Sequence, residues 1–282
     1  MVKVKLYLGY AGYCLAKEND AMRGGDKRSI KFYALWGIID HPEKGMILYD
    51  TGYSERFFDA TKSFPNKIYA LATKVHLKKD EDVKSQLVNN NIDPDDIKHV
   101  IITHFHADHV CGLKDFKNAK FYTSRKALGH VLKIPKSIAF TKAILKDLLP
   151  EDLRERCIVI EDSCEQLNDE TFGYKYDLFN DSTVYIYDLP GHAAGQIGVC
   201  VETEKQSYFL ISDACWLKNA YLNDQLPNPI VKLFFDSWKK YKDTIKKIKK
   251  FHKLNPKTLI VPTHCTESTM DLVSQKISFN EL

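Results

Sequence analysis

Long apolar runs are missing from this 282-residue chain: no stretch approaches the ~18 residues of a membrane span. A membrane-embedded protein is therefore not expected. The start Met1-Val2-Lys3-Val4-Lys5-Leu6 alternates like a strand and lacks the apolar core of a signal peptide, so a cytoplasmic protein is expected. Internal repeats, low-complexity tracts and interdomain linkers are also lacking. With 44% hydrophobic residues the chain can bury a sizeable core, and a single domain over residues 1–282 is the expectation.

A disulfide framework is lacking too, since seven cysteines at irregular spacing suit reduced thiols. Charge of one sign is not in excess either: the balance of +4 is too small to argue for a nucleic-acid partner. The densest basic run, Trp238 to Phe251, spaces Trp238, Tyr241, Ile245, Ile248 and Phe251 by three and four residues. That pattern predicts an amphipathic helix with lysines on its wet face rather than a polyanion-binding surface.

What the chain does have is His104-Phe105-His106-Ala107-Asp108-His109, four metal-ligating side chains in six residues, directly after the apolar run Val100-Ile101-Ile102. If the loop is extended, His104, His106 and Asp108 share one side by two-residue alternation, and a following turn brings His109 round to them. Imidazole and carboxylate donors suit zinc, and also iron or manganese. Four donors exceed what one catalytic ion usually takes, which suggests two ions side by side. Such a pair needs further donors. His192 follows the strand-like Thr183–Tyr187 and a Pro190-Gly191 turn, Asp213 follows Ser207–Ile211, and His264 follows Leu259–Thr263. Each is an apolar strand that ends in a ligand.

Together, T-H-F-H-A-D-H, P-G-H, S-D-A and P-T-H resemble the ligand order of the metallo-β-lactamase-fold hydrolase superfamily. Within it the chain is most similar to the N-acyl homoserine lactonases, through Val4–Leu8, Ala11-Gly12-Tyr13-Cys14 and Leu48-Tyr49-Asp50-Thr51-Gly52. The resemblance runs from about residue 3 to 265. It implies an α/β fold, an αββα sandwich of two mixed sheets flanked by helices. It also implies that His104, His106 and His192 hold one divalent metal, that Asp108, His109 and His264 hold the other, and that Asp213 bridges them. Asp50 would orient the histidine loop without binding metal, with Thr103 either helping through its hydroxyl or simply ending its strand. Zinc is the default metal.

The implied reaction is hydrolysis of a small-molecule ester, above all a lactone of the quorum-quenching type, by water activated between the metals and with Asp108 carrying a proton to the leaving group. Zinc β-lactamases place a cysteine where this chain has Asp213, which counts against β-lactam hydrolysis. The lactonases also place a tyrosine three residues beyond the bridging aspartate, where this chain has Trp216. An indole N–H donates but is no acid. Three alternatives stand: the role is lost, Trp216 donates one hydrogen bond, or Tyr221 substitutes. A glyoxalase II-like thioesterase is a second reading, weakened because only 18 residues follow His264. A metal-containing binding effector without turnover is a third.

Strands are expected at 2–8, 32–39, 46–50, 119–123, 157–160, 174–178, 183–188, 196–202, 206–212 and 258–262. Asp80 or Asp82 is expected to cap a helix burying Val83, Leu87 and Val88, and a helical stretch is expected over 124–150. That stretch, and the apolar segment 217–237 with Tyr221, Leu226, Ile230, Leu233 and Phe234, are candidate lids or walls over the metals. Core packing or a homodimer interface would explain the latter segment equally. Cys111, Cys215 and Cys265, beside the motifs, are read as packing residues with thiol ligation as the alternative. His41, His76, His99, His130 and His252 lack companion ligands and are excluded from the site.

Overall fold

The computed structural model describes residues 3–274, so the Val2 start expected for the first strand and both ends of the 1–282 domain assignment lie outside it. Among the described residues, thirteen strands form two sheets: β1 (Lys5–Lys17), β2 (Ser29–His41), β3 (Gly45–Tyr49), β4 (Val75–His76), β5 (His99–Ile101), β6 (Lys120–Thr123), β7 (Cys157–Val159), β8 (Glu165–Asp169), β9 (Gly173–Asp177), β10 (Val184–Asp188), β11 (Ile197–Glu202), β12 (Ser207–Ser212) and β13 (Leu259–Pro262). One sheet has the order β4-β1-β2-β3-β5-β6-β7 and the other β13-β12-β11-β10-β9-β8. Both are mixed: β3, β5, β6 and β7 run parallel, as do β12 and β13, while the remaining neighbours are antiparallel.

Strand alternation sorts the apolar side chains into layers. In β5 and its extension, Val100 and Ile102 join the cluster under the helices Val83–Asn89 and Arg125–Lys133, while Ile101 points between the sheets with Ile47, Val184, Val199, Leu210 and Val261. In β12, Leu210 faces that same intersheet core, whereas Phe209 and Ile211 face the helix Trp238–Leu254. A strand covered on both faces reads as a continuous apolar run, which is why Val-Ile-Ile and Phe-Leu-Ile carry no polar alternation. The αββα sandwich is thus the one the resemblance implies.

The lysine-rich segment is the expected amphipathic helix, with Tyr241, Ile245, Ile248 and Phe251 buried and Ser237 accepting from the Lys240 N–H as its cap. Its packing is close: Gly191 lies at φ +139°, and a Cβ there would stand 2.2 Å from the Tyr241 nitrogen. Thr244 donates from its hydroxyl to the Pro190 carbonyl at 2.7 Å, so this helix fixes the turn that carries His192.

Several expectations need correction. Strand β1 extends well past its expected end at residue 8 and β2 is slightly longer than expected at both ends, the two paired along their length across a bulge at Ala11-Gly12. The edge strand β8 was not foreseen, because Glu-Gln-Leu-Asn-Asp has little of the apolar content of a core strand. Asp82, not Asp80, caps Val83–Asn89 by accepting from the Ser85 N–H, and Val88 faces solvent at 52% exposure. The stretch 124–150 is not one helix: it stops at Lys133 before Pro135, then continues as the short turns Lys136–Ala139, Phe140–Lys142 and Lys146–Leu148. Within 217–237, Tyr221, Val231 and Phe235 are buried while Ile230, Leu233 and Phe234 are exposed. No helix among the described residues is long and apolar enough to cross a membrane.

Candidate metal centre

Strands β3, β5, β10, β12 and β13 all end at one rim of the sandwich, and the residues just beyond their last positions converge there. Asp50 follows β3, His104 to His109 follow β5, His192 follows β10, Asp213 follows β12 and His264 follows β13. The histidine loop is extended only as far as His106. Residues Ala107–Val110 form a helical turn, which swings Asp108 and His109 away from His106 and toward a second centre. The expectation that Asp108 shares an extended face with His104 and His106 is therefore corrected.

Two buried donor groups result. His104, His106, His192 and Asp213 form one, Asp108, His109, Asp213 and His264 the other, with the donor atoms of each within 4.8 Å of one another. Asp213 belongs to both. His192 Nε2 lies 3.1 Å from His106 Nδ1 and 3.3 Å from Asp213 Oδ2, and His264 Nε2 lies 3.2 Å from that same oxygen. His109 Nε2 stands 3.5 Å from oxygens of both Asp108 and Asp213.

The donor set fits a pair of cations. His104 Nε2, His109 Nε2 and Asp213 Oδ1 are buried with no hydrogen-bond partner, a costly state that coordination would relieve. The opposite nitrogens of three rings are spoken for. His109 Nδ1–H donates to Asp50 Oδ2 at 2.7 Å, His264 Nδ1–H donates to the Tyr33 carbonyl at 2.9 Å, and His104 Nδ1 faces Thr103 Oγ1 at 3.2 Å. Holding the proton on Nδ1 leaves the Nε2 lone pair aimed into the cluster.

Asp50 is itself held by Thr103, whose N–H donates to Oδ1 at 2.9 Å and whose hydroxyl donates to Oδ2 at 2.8 Å. Ser212 lies 2.9 Å from that hydroxyl, a contact with no sequence signal, since it joins two strand ends 109 residues apart. Both Asp50 and Ser212 adopt left-handed backbone, with φ of 52° and 50°, conformations that persist where surrounding bonds fix them. Gly52 has φ +54°, and a Cβ there would lie 2.4 Å from the Ala11 Cβ, so the Asp-Thr-Gly turn admits no larger residue.

The electrostatics differ between the groups. Burial, reinforced by neighbouring imidazoles, pushes His104 well down and His106 down to about 3. Burial, only partly offset by Asp213, takes His192 to about 4. For His109 burial acts in the same direction, but the carboxylates of Asp108, Asp50 and Asp213 outweigh it and hold the ring well above its ordinary value. His264 is raised as well, burial being overcome chiefly by Asp213. Asp213 is held far below the usual carboxylate range, because His264 and His109 outweigh its burial.

Trp216 lies against the cluster: its indole N–H donates to Asp213 Oδ2 at 3.3 Å and its ring packs edge-on to His192 and Phe235. Tyr221, by contrast, is buried in the outer aromatic core, edge-on to His252, and lines neither cavity beside the cluster. Its substitution for the absent tyrosine is therefore corrected to a packing role. One cavity, of about 220 Å³, is walled by His106, His192, Phe105, Ile144 and Phe234, drawing on both candidate wall segments. His130 and Lys142 line it too. His130 belongs to neither donor group, in line with its exclusion as a ligand, yet the fold brings it to this cavity wall, which no sequence motif signals. A second cavity, of about 340 Å³, abuts His264 and Tyr33. All seven cysteines are free, and the burial of Cys111, Cys215 and Cys265 agrees with packing.

Comparison with known proteins agrees with this architecture. The model of the metallo-β-lactamase superfamily matches residues 31–264, and the chain belongs to that superfamily. Among curated relatives, it is 25% identical to the N-acyl homoserine lactonase AttM of Azorhizobium caulinodans, over 92% of this chain and 91% of that protein. Among solved structures, it is similar to an N-acyl homoserine lactone hydrolase with the product N-hexanoyl-L-homoserine bound at its catalytic metal centre, with TM-score 0.75, 20% identity, and 96% and 97% of the two chains covered. It is also similar to AidC, a dizinc quorum-quenching lactonase, with TM-score 0.64, 14% identity and coverage of 93% and 87%.

Proposed function

We propose that this protein is a dinuclear metal-dependent hydrolase that opens the ester bond of a lactone such as an N-acyl homoserine lactone. The observation that carries the reading is the pair of buried donor groups sharing Asp213. The lactonase identity of the relatives adds the substrate class. His104, His106 and His192 would hold one cation, Asp108, His109 and His264 the other, and Asp213 both. Nitrogen and oxygen donors with this geometry suit zinc, the metal named for one similar lactonase. When bound, the ions supply Lewis acidity toward the substrate carbonyl and lower the pKa of water.

The chain's own residues do the rest. Asp50 and Thr103 fix the tautomer and direction of His109. The Asp108 carboxylate, the most exposed donor of the second group, would take up a proton and pass it to the leaving alkoxide. The Trp216 N–H donates its one hydrogen bond to Asp213 Oδ2 and, lacking acidity, would steady negative charge at that carboxylate rather than protonate a leaving group. The described fold is read as a single domain acting in the cytoplasm, in keeping with its free thiols.

The test is acid release from acyl homoserine lactones of differing chain length, followed by pH-stat on protein whose metal has been quantified. About two ions per chain with chelator-sensitive release is expected. Two ions without release would move thioesters, or a binding role without turnover, to the front.

A further inference from the structure

The cavity beside His106 and His192 is not the plain apolar slot that an alkyl chain alone would need. Phe105, Ile144 and Phe234 give it apolar walls, but His130, Lys142 and Asp236 line it as well. The lining carries one ammonium and one carboxylate, but the carboxylate is engaged elsewhere. Asp236 pairs with Lys126 at 2.6 Å, just outside the lining. Lys142 has no carboxylate at ion-pair distance among the described residues; its ammonium donates only a long 3.5 Å hydrogen bond to the Leu233 carbonyl. His130 offers a ring without a side-chain hydrogen bond among the described residues, its pKa lowered by burial and by Lys126 and Lys142 against the opposing pull of Asp236. The Lys142 ammonium thus stands half-exposed at the wall of a small, partly apolar cavity without an ion-paired acid, where the low-dielectric walls strengthen its attraction for an anion over that of the same charge on open surface.

We propose that Lys142, with His130 beside it, selects substrates whose acyl part carries a negatively charged group, a carboxylate at the end of a short apolar segment. The proposal rests on the hydrolase reading above and narrows its substrate class. Phe105, Ile144 and Phe234 cover the apolar segment, the Lys142 ammonium takes the carboxylate, and the reacting carbonyl lies at the donor groups. Lys142 is a specificity residue here and takes no part in bond breaking. A substrate ending in a methyl group would leave the ammonium desolvated and unpaired, a cost that only the acidic substrate removes.

The experiment compares N-hexanoyl homoserine lactone with an analogue of equal chain length whose acyl end is a carboxylate, using metal-loaded wild type, Lys142→Gln and Lys142→Arg. Wild type should prefer the acidic lactone in kcat/KM. Lys142→Gln should lower that value roughly tenfold or more, the scale of one charge-assisted hydrogen bond, while leaving the neutral lactone no worse or improving it, because no ammonium is stranded against its methyl end. Lys142→Arg should restore most of the preference, and added salt should weaken it. Equal losses on both lactones, or a wild-type preference for the neutral one, would overturn the proposal. Calorimetric binding of the two ring-opened acids separates this outcome from failure of the lactonase reading. If neither lactone turns over, tighter binding of the diacid that Lys142→Gln abolishes sustains the proposal, and equal binding refutes it.

Discussion

The two donor groups that share Asp213 are built unequally. The first owns three imidazoles, His104, His106 and His192, and no carboxylate except the shared one; the second owns Asp108 besides, with His109 and His264. Their supports differ in the same direction. In the second group each ring is anchored at its far nitrogen, His109 by Asp50 and His264 by the Tyr33 carbonyl. In the first, His192 Nδ1 is buried without a partner. More negative charge and better-fixed ligands should make the second group the tighter cation site, with ions loading there first.

The largest effect expected from breaking this arrangement comes from Asp213→Ala. It removes the donor common to both groups, so metal content should fall below one ion per chain, and lactone hydrolysis by more than about 100-fold, beyond what loss of an outer partner costs. His192→Ala and His264→Ala should each lose one ion only. Elemental analysis after dialysis decides between these patterns, and retention of two ions in the Asp213 variant would refute the shared role.

Asp50→Ala attacks the asymmetry without touching a donor. Losing the Nδ1 anchor of His109 should weaken metal binding about 10–100-fold, chiefly at the second group, and reverse the order of loading. Competition with a graded chelator would show it. Equal weakening of both ions would mean that Asp50 supports the whole loop through Thr103, not His109 in particular.

The metal-free protein provides a subtler contrast. His104, His106 and His192 have depressed pKa values when folded, so below about 6.5 the unfolded chain binds protons that the folded one refuses. Stability contributed by these groups therefore falls as the pH drops from about 6.5 toward the lowered folded values. His109 and His264 are raised, so their contribution is complete below about 6.5 and is lost as the pH climbs through their folded values. The two groups thus pull in opposite directions, and the apo-protein should melt highest near pH 6.5. Bound metal should flatten that maximum by excluding protons from all five rings. Thermal melts across pH 4.5 to about 8.5, with and without metal, test the sign of each limb.

The seven candidate donors were legible in the sequence because each stands in a segment that follows an apolar strand; their division into two sets came from the resemblance, and the fold gathers the same side chains into two groups. Their supports were legible only in part. Asp50 could be assigned through resemblance, but Ser212 acts through a contact across 109 residues, and Tyr33 acts through its carbonyl, a group every residue possesses. The same limit hid His130 and Lys142, whose shared cavity is created by turns after Pro135 that a helical reading of 124–150 erases. Edge strand β8 escaped because edge strands are polar by design against aggregation. Local chemistry is visible along the chain; partnerships set by tertiary packing are not.

Trp216 stands astride the comparison and should give the smallest effect. Its N–H reaches Asp213 Oδ2, its ring meets His192, and it contacts Phe32, which stacks on His264 at 4.5 Å. Trp216→Phe keeps an aromatic ring against both groups and deletes one donor whose bond, at 3.3 Å, is already long. Metal content should stay unchanged while kcat falls about threefold to tenfold, less than a well-formed bond to a charged group would cost. Trp216→Tyr replaces the N–H by an ionisable O–H on the same wall. If it exceeds wild type in kcat, developing charge in this enzyme is under-stabilised by the indole. If it matches Trp216→Phe, neither polar head contributes and the residue serves only to pack the two histidine sets together.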